Sequence, residues 1–381
     1  MTKTEQILQH LVSFPTVSRD SNMALIEYIQ SYLNDVSIDS TLIFNDEKTK
    51  ANLYASLGPE NSPGVMLSGH TDVVPIDGQD WTVEPFSMLE KEGRLYGRGT
   101  TDMKGFIASV LAMIPDAAAL DLKKSIHLAF SYDEEIGCVG VRSMVEMLES
   151  APTKPAFCIV GEPTEMKAAV AHKGKTAALC VCRGVEAHSA LTTKGLNAIY
   201  LASDVINVIR DVQEDLKSRS SDHHYDVPYT TLHVGTIAGG TALNIIPREC
   251  SFKFEIRNLK ADDPDEILSE IRQRSQLIVD KYSEDFPAME IAIDIFNQYP
   301  ALDTSPEEEV VRLVQSLIDS EAILKLGFGT EGGLFQHRLG IPTVICGPGS
   351  MEQGHKPDEF VSRSQLEKCD QFLQKLIRQM V

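Results

Sequence analysis

The chain has 381 residues, of which 43% are hydrophobic and 24% charged, so it is long enough for two or three globular domains and too ordinary in composition for a disordered or fibrous protein. Its 55 acidic and 35 basic residues give a net charge of −20, which repels nucleic acid and anionic membranes. Cations and metals are the partners that this charge favours, although solubility alone also accounts for it.

The cysteines and the N-terminus indicate the compartment. Seven cysteines without a Cys-x-x-Cys pair argue against a disulfide framework or a thiolate zinc cage and fit a reducing environment. The N-terminus lacks the pattern of a signal peptide, and no apolar run reaches the roughly 18 residues that a membrane span requires. We therefore expect a soluble cytoplasmic protein.

Helical and strand-like patterns alternate over the first part of the chain. The predicted helices cover residues 4–12, 21–33, 106–120 and 140–148, and the predicted strands cover 51–57, 65–68, 125–130 and 156–160. Such alternation predicts an α/β fold, with helices packed on a mixed sheet in an α/β/α arrangement.

The pattern changes after residue 173. The next predicted elements cover 176–182, 197–216, 230–237, 250–256, 263–279 and 289–295, in the order β-α-β-β-α-β, which is the ferredoxin-like pattern. Helix and strand then resume at 307–320, 343–346 and 363–380. We predict a catalytic domain formed by residues 1–173 and 298–381, with residues 174–297 inserted as a ferredoxin-like domain.

Four of the predicted strands end in, or run towards, residues that can bind a metal. These residues are His70, the adjacent pair Glu134 and Glu135, Glu162, and His355. Because the carboxyl ends of parallel strands line the ligand crevice of an α/β sheet, the side chains can converge. For the glutamate pair, a solvated acidic turn is the alternative.

Asp102 lies in a glycine-flanked loop at a predicted helix start, where the helix dipole also favours a carboxylate. Two histidines and three carboxylates without cysteine suit zinc, cobalt or manganese. Five ligands are too many for one catalytic ion, whereas two ions about 3.5–4 Å apart would use them all. One member of the pair Glu134 and Glu135 can then bind metal while the other stays free as a base.

Asp72 follows His70 by two residues on an extended segment. The two side chains therefore lie on the same face of that segment, and Asp72 can orient the imidazole ring of His70.

Five segments in this order resemble the M20 family of di-zinc peptidases and deacylases: 70–75, 99–105, 133–137, 161–163 and 355–359. The resemblance covers nearly the whole chain. It implies that His70 and Glu162 hold one metal, that Glu135 and His355 hold the other, and that Asp102 bridges them. It also implies a cis peptide bond after Asp102 and identifies the inserted domain as a lid and dimerisation domain.

The resemblance further implies a mechanism. A water between the two ions attacks the amide carbonyl, with Glu134 as general base and then as proton donor to the departing amine. Glu186-Ala-His188 resembles the loop whose histidine reaches across a homodimer to stabilise the oxyanion. Asn244 and Arg257 resemble the residues that hold the substrate's α-carboxylate. For Arg257, a salt bridge at a strand end is the alternative.

Segments 329–333 and 346–355 are most similar to the family members that convert N2-acetyl-L-ornithine into L-ornithine and acetate in arginine biosynthesis. Another M20 activity remains open: an N-acylamino-acid deacylase, a succinyl-diaminopimelate desuccinylase or a carboxypeptidase. A metal-binding protein without activity is the non-enzymatic alternative. For Glu331, contact with a cationic substrate side chain and a helix-cap or loop role are both open.

Overall fold

The computed structural model describes residues 1–60 and 62–381. Its α-helices are α1 (Lys3–Ser13), α2 (Met23–Asn34), α3 (Lys104–Ala118), α4 (Val141–Glu149), α5 (Ala198–Leu216), α6 (Pro264–Tyr282), α7 (Glu309–Ile318), α8 (Gly332–Leu339) and α9 (Arg363–Gln379). Its strands are β1 (Ser40–Phe44), β2 (Ala51–Leu57), β3 (Val65–His70), β4 (Leu89–Lys91), β5 (Arg94–Tyr96), β6 (Ile126–Ser131), β7 (Phe157–Pro163), β8 (Ala168–His172), β9 (Lys175–Arg183), β10 (Ala187–His188), β11 (Thr231–Gly239), β12 (Ile245–Ile246), β13 (Glu249–Arg257), β14 (Glu290–Tyr299), β15 (Leu302–Asp303), β16 (Ile323–Leu326), β17 (Thr343–Gly347) and β18 (Phe360–Ser362).

The chain divides into two compact units. The first comprises Met1–Ala171, Leu302–Lys325 and Thr330–Val381, and the second comprises His172–Ala301 with Leu326–Gly329. These boundaries lie two residues before and four residues after the predicted ones, and the second unit also takes four residues from the later part of the chain.

The first unit is built on a large mixed sheet. Its strand order is β1-β2-β6-β3-β7-β17-β8-β15, and β16 pairs with β8. The four central strands β6, β3, β7 and β17 run parallel to one another. At one side of the sheet, β2 pairs antiparallel with β6, and β1 pairs antiparallel with β2. All residues of β3, β6 and β7 are buried, which explains why these strands are continuous apolar runs rather than alternating ones.

Helix α3 shows how closely the elements pack beside the site. It packs against α1 and α9 and on the strands β3 and β7, and it is apolar on nearly all sides. Gly161 of β7 is required for this approach, because a Cβ atom there would lie 2.0 Å from the ring of Phe106. The side chain of Phe106 is fully buried. The glycine therefore fixes the distance between α3 and the end of β7.

The second unit contains a four-stranded antiparallel sheet in the order β11-β13-β9-β14. With α5 after β9 and α6 after β13, its connectivity is βαββαβ, and the buried faces of these elements form a separate core. Asn197 caps α5 through its side chain, and Asp263 followed by proline begins α6 in the same way.

The fold class predicted from the sequence is confirmed, with differences at particular elements. The sequence pattern did not predict α8 or the strands β1, β4, β5, β8, β10, β12, β15, β16 and β18. It ended the strand before Glu162 at residue 160, whereas β7 continues through Pro163. Within residues 1–60 and 62–381, no helix has the length and apolar character needed to cross a membrane.

Candidate metal centre

The first group of metal-capable side chains lies where β3 and β7 end. His70 Nε2 is 3.0 Å from Asp102 Oδ1 and 3.6 Å from Glu162 Oε1. One donor atom from each of the three residues lies within 4.8 Å of the other two. All three side chains are buried. The first group therefore has the composition and spacing of a three-ligand metal site.

A second group of metal-capable side chains shares Asp102 with the first. His355 Nε2 is 3.1 Å from Asp102 Oδ2 and 3.0 Å from Glu135 Oε2. Asp102 thus turns one carboxylate oxygen to each histidine. The structure brings the five predicted ligands into two groups of three that have Asp102 in common. The Asp102–Met103 peptide bond is cis, which confirms that prediction.

The donor set fits divalent metal ions. The buried oxygen Oε1 of Glu135 has no hydrogen-bond partner among the described residues, so it is available to bind a cation. Burial, together with the charge of Asp102, raises the pKa of Glu135 to about 7. The pKa of His355 is raised to about 11 by its hydrogen bonds with Asp102 and Glu135. A dication among these groups would instead favour ionised carboxylates and neutral imidazoles.

His70 is oriented by the backbone that follows it. Its Nδ1 donates to the main-chain carbonyl oxygen of Asp72 at 2.9 Å, so that Nε2 faces the first group. A neutral ring protonated at Nδ1 offers the Nε2 lone pair to a metal. The nearer carboxylate oxygen of Asp72 lies 3.6 Å from Nδ1, which is longer than a hydrogen bond.

The Asp72 carboxylate instead connects three loops. It accepts hydrogen bonds from Ser18 Oγ at 2.7 Å and from the backbone N–H groups of Glu134 at 3.1 Å and Glu135 at 3.3 Å. Burial opposes ionisation of Asp72, but its interactions with His70 and these donors hold its pKa below the usual value. The sequence pattern predicts a carboxylate beside His70, but its hydrogen bonds to the backbone of Glu134 and Glu135 are visible only in the structure.

Glu134 lies beside the metal-ligand groups without belonging to either of them. Its side chain is buried, and its Oε1 accepts a weak hydrogen bond from Cys138 Sγ at 3.3 Å. Burial raises the pKa of Glu134 to about 8; the charges of Glu135 and Glu331 act in the same direction, and that of His70 opposes them. A dication nearby would favour the ionised form of this carboxylate, which could then accept a proton.

Glu331 is buried at the ends of two central strands. Its carboxylate accepts hydrogen bonds from Ser68 Oγ on β3, at 3.0 Å, and from Ser131 Oγ on β6. It occupies the N-cap position of α8, but its side chain makes no cap hydrogen bond to that helix. Burial raises the pKa of Glu331 to about 7, although both serines oppose that shift. With 1% of its surface exposed, it is enclosed by the protein.

His188 and Asn244, in the second unit, lie close to each other. His188 pairs with Ile245 between β10 and β12, and the backbone N–H of Ser189 donates to the carbonyl oxygen of Asn244 at 3.0 Å. His188 is exposed, and its Nδ1 accepts from the backbone N–H of Ala190 at 3.1 Å. In a neutral ring the proton is therefore on Nε2, which leaves that nitrogen as a donor.

Arg257 ends β13 and is held by its own unit. Its guanidinium binds Glu255 through Nε at 3.0 Å and Nη2 at 3.2 Å, and its Nη1 donates to Tyr299 Oη at 3.1 Å. This is the strand-end salt bridge that the sequence left open. A guanidinium has five N–H donors, so these three bonds leave two for a carboxylate ligand.

Comparisons with known proteins identify the family of this chain. The profile of Peptidase family M20/M25/M40 matches residues 66–379. The chain is 31% identical over 381 residues to the acetylornithine deacetylase of Pasteurella multocida (strain Pm70), covering 98% of this chain and 97% of that protein.

Two solved structures have a similar fold. An M20 family metallo-carboxypeptidase from Sulfolobus solfataricus has a TM-score of 0.81 at 17% identity, over 99% of each chain. A dinuclear metal binding peptidase of the M20 family from Bacillus subtilis has a TM-score of 0.70 at 15% identity, over 99% of this chain and 97% of that one. At these identities the likeness concerns the fold alone.

Proposed function

Because the chain belongs to peptidase family M20/M25/M40, we propose that it is a metal-dependent hydrolase that removes the acetyl group from N2-acetyl-L-ornithine, giving L-ornithine and acetate. The substrate assignment is supported by the full-length similarity to an acetylornithine deacetylase. The reaction class is supported by the convergence of five ligand-type side chains beside a buried glutamate that is not part of either group.

Two divalent ions are the proposed cofactors. His70 and Glu162 would hold one ion and Glu135 and His355 the other, with one oxygen of Asp102 directed to each. Zinc is the proposed metal, and cobalt or manganese also suits this nitrogen and oxygen donor set. When bound, such ions polarise an amide carbonyl and lower the pKa of water.

Glu134 is the proposed general base. Its carboxylate would take the proton of the attacking water and deliver it to the departing amine. Asp72 supports this step by holding the backbone of Glu134, which limits how far the carboxylate can shift. The chain needs no covalent acyl intermediate for this chemistry.

Residues of the second unit would bind the substrate. We propose that Nε2–H of His188 stabilises the oxyanion across a homodimer formed through this unit, and that Asn244 and Arg257 hold the α-carboxylate. The tautomer set by Ala190 and the two free donors of Arg257 support these roles. A cytoplasmic enzyme of arginine biosynthesis is the corresponding cellular proposal.

The test is a comparison of kcat/KM for N2-acetylornithine, N-acetylmethionine and N-succinyl-diaminopimelate with the zinc-loaded protein. We expect N2-acetylornithine to be preferred. A preference of about tenfold or more for either other substrate would assign a different M20 activity. Absence of turnover on all three, with metals bound, would refute the proposed deacetylase activity and leave a carboxypeptidase or an inactive metal-binding protein.

A further inference from the structure

Glu359 is a buried carboxylate next to the loop that carries Asp102. One of its oxygens accepts from the backbone N–H groups of Thr101 at 2.9 Å and Asp102 at 3.1 Å. The other accepts from the backbone N–H of Gly99 at 3.0 Å and from Arg98 Nη1 at 2.7 Å. Only 1% of the Glu359 surface is exposed. The carboxylate therefore fixes the backbone at the residue whose side chain is common to both ligand groups.

Arg98 extends this contact to the segment that carries His355. The guanidinium is fully enclosed, with 1% exposure, and its Nη1 also lies 3.3 Å from the carbonyl oxygen of Lys356. Its Nη2 donates to Gln79 Oε1 at 2.5 Å, and it lies over the ring of Trp81 at 4.9 Å from the centroid. A planar fork of donors suits these several fixed acceptors.

Gln79 completes the connection to the second histidine. Its Nε2 donates to the main-chain carbonyl oxygen of His355 at 2.9 Å, and its Oε1 also accepts from Trp81 Nε1 at 3.0 Å. The His355 side chain is 46% exposed, so packing alone does not hold it. His70, by contrast, is 1% exposed and has the carbonyl of Asp72 to orient it.

We propose that Gln79, Arg98 and Glu359 form a positioning cluster that places the metal ligands Asp102 and His355. Glu359 holds the backbone of Asp102, Gln79 holds the backbone of His355, and the ion pair of Arg98 with Glu359 joins the two. This inference rests on the ligand roles of the proposed function, but not on its substrate.

The cluster acts unequally on the two metal sites. The first site retains His70, which is buried and oriented independently of Gln79. The second site depends on a half-exposed histidine whose backbone is held by Gln79. Loss of the Gln79 contacts is therefore expected to lower the affinity of the second site for its ion by about 10–100-fold, as for other residues that orient a ligand. The ion at the first site should remain bound.

The experiment uses Gln79→Ala and Gln79→Glu. The second variant keeps acceptors for Arg98 and Trp81 but replaces the donor to the carbonyl of His355 with a repelling oxygen. Each protein is stripped with a chelator, equilibrated in a zinc buffer that just saturates the wild type, and analysed for zinc per chain. Both variants should retain one ion where the wild type binds two, and His355→Ala provides the reference for loss of the second ion.

Gln336→Ala is the matched control. Gln336 lies in the same unit and also makes three hydrogen bonds, with Asp303 and Thr304, none of them to a metal-ligand candidate. This variant should bind two ions.

Thermal melting of the chelated proteins distinguishes a loss of ligand positioning from a general loss of stability. The melting temperature of chelated Gln79→Glu should lie near that of the chelated wild type. Wild-type zinc affinity in Gln79→Glu would overturn the inference. Failure of the wild type itself to bind zinc would instead refute the metal centre of the proposed function, and the inference with it.

Discussion

Substitution of Asp72 by asparagine keeps the size of the side chain but removes one of its two acceptor oxygens. The carboxylate accepts from Ser18 and Glu135 at Oδ2 and from Glu134 at Oδ1. An asparagine amide can accept at only one position, so its NH2 group must face at least one of these donors. The variant therefore loses at least one hydrogen bond to a charged acceptor.

The expected loss follows from that contact. A hydrogen bond to a charged group contributes about 1.5–3 kcal/mol, which corresponds to roughly 10–150-fold in an equilibrium or rate constant. We predict that Asp72→Asn lowers kcat/KM on N2-acetylornithine by about 10–100-fold, with two zinc ions retained at saturating zinc. Steady-state kinetics and zinc analysis measure the two quantities.

Asp370→Asn is the control for this prediction. Its carboxylate accepts from Thr4 Oγ1 at 2.8 Å, in contact between α9 and α1 and outside both ligand groups. The control should keep wild-type kcat/KM. Wild-type activity in Asp72→Asn would refute the anchoring role. Complete loss of one ion, as in His70→Ala, would show that Asp72 is itself a metal ligand.

Three further predictions concern the second unit, the packing around Asp102 and the metal ions. His188→Ala should lower kcat by about 10²–10³-fold with little change in KM, because it removes the Nε2 donor proposed for the oxyanion; unchanged kcat would exclude that role. Gly349→Ala should lower the free energy of unfolding in urea by at least about 2 kcal/mol, because φ is +89° and a Cβ would lie 1.7 Å from Thr101 Oγ1. Gly340→Ala, at φ +68° with open space, should cost only about 1–2 kcal/mol, and equal losses would contradict the packing argument. Zinc at about 100 times its dissociation constant should stabilise the protein by about 2.7 kcal/mol for each ion bound in a thermal melt, whereas an unchanged melting temperature would argue against binding.

Much of the first ligand group could be predicted because strand ends are visible in sequence. The apolar run of β3 stops at His70, and the parallel pairing of β3 with β6 and β7 brings their carboxyl ends to one edge of the sheet. The βαββαβ order of the second unit was predictable for a similar reason, because helices and strands repeat their apolar residues with different periods along the sequence.

Contacts between distant loops could not be predicted in this way. Gln79, Arg98 and Glu359 are ordinary polar residues in sequence, and only the folded chain shows that they converge on Asp102 and His355. The hydrogen bonds between the Asp72 carboxylate and the backbone of Glu134 and Glu135 also join distant loops, so they could not be predicted either. A fully buried charged side chain cannot be distinguished from an exposed one without knowing which elements enclose it.

Secondary-structure elements were missed where local signals were weak. Helix α8 begins with two glycines, which are poor helix formers, and its position is fixed by packing against α4 and β17. Strand β1 lies at an edge and is only partly buried, so it lacks a clear apolar alternation. Both elements are specified by tertiary contacts rather than by local propensity.

The central claim is that Glu134 transfers protons beside two bound ions, and Glu134→Gln tests it most directly. The substitution keeps the volume and a hydrogen-bonding group, but glutamine cannot accept the water proton. Zinc per chain and kcat on N2-acetylornithine are measured on the same preparation. We predict two zinc ions, as in the wild type, with kcat lowered by about 10²–10⁴-fold. Wild-type turnover in a fully loaded variant would contradict the claim, and loss of an ion would make Glu134 a ligand instead of a base.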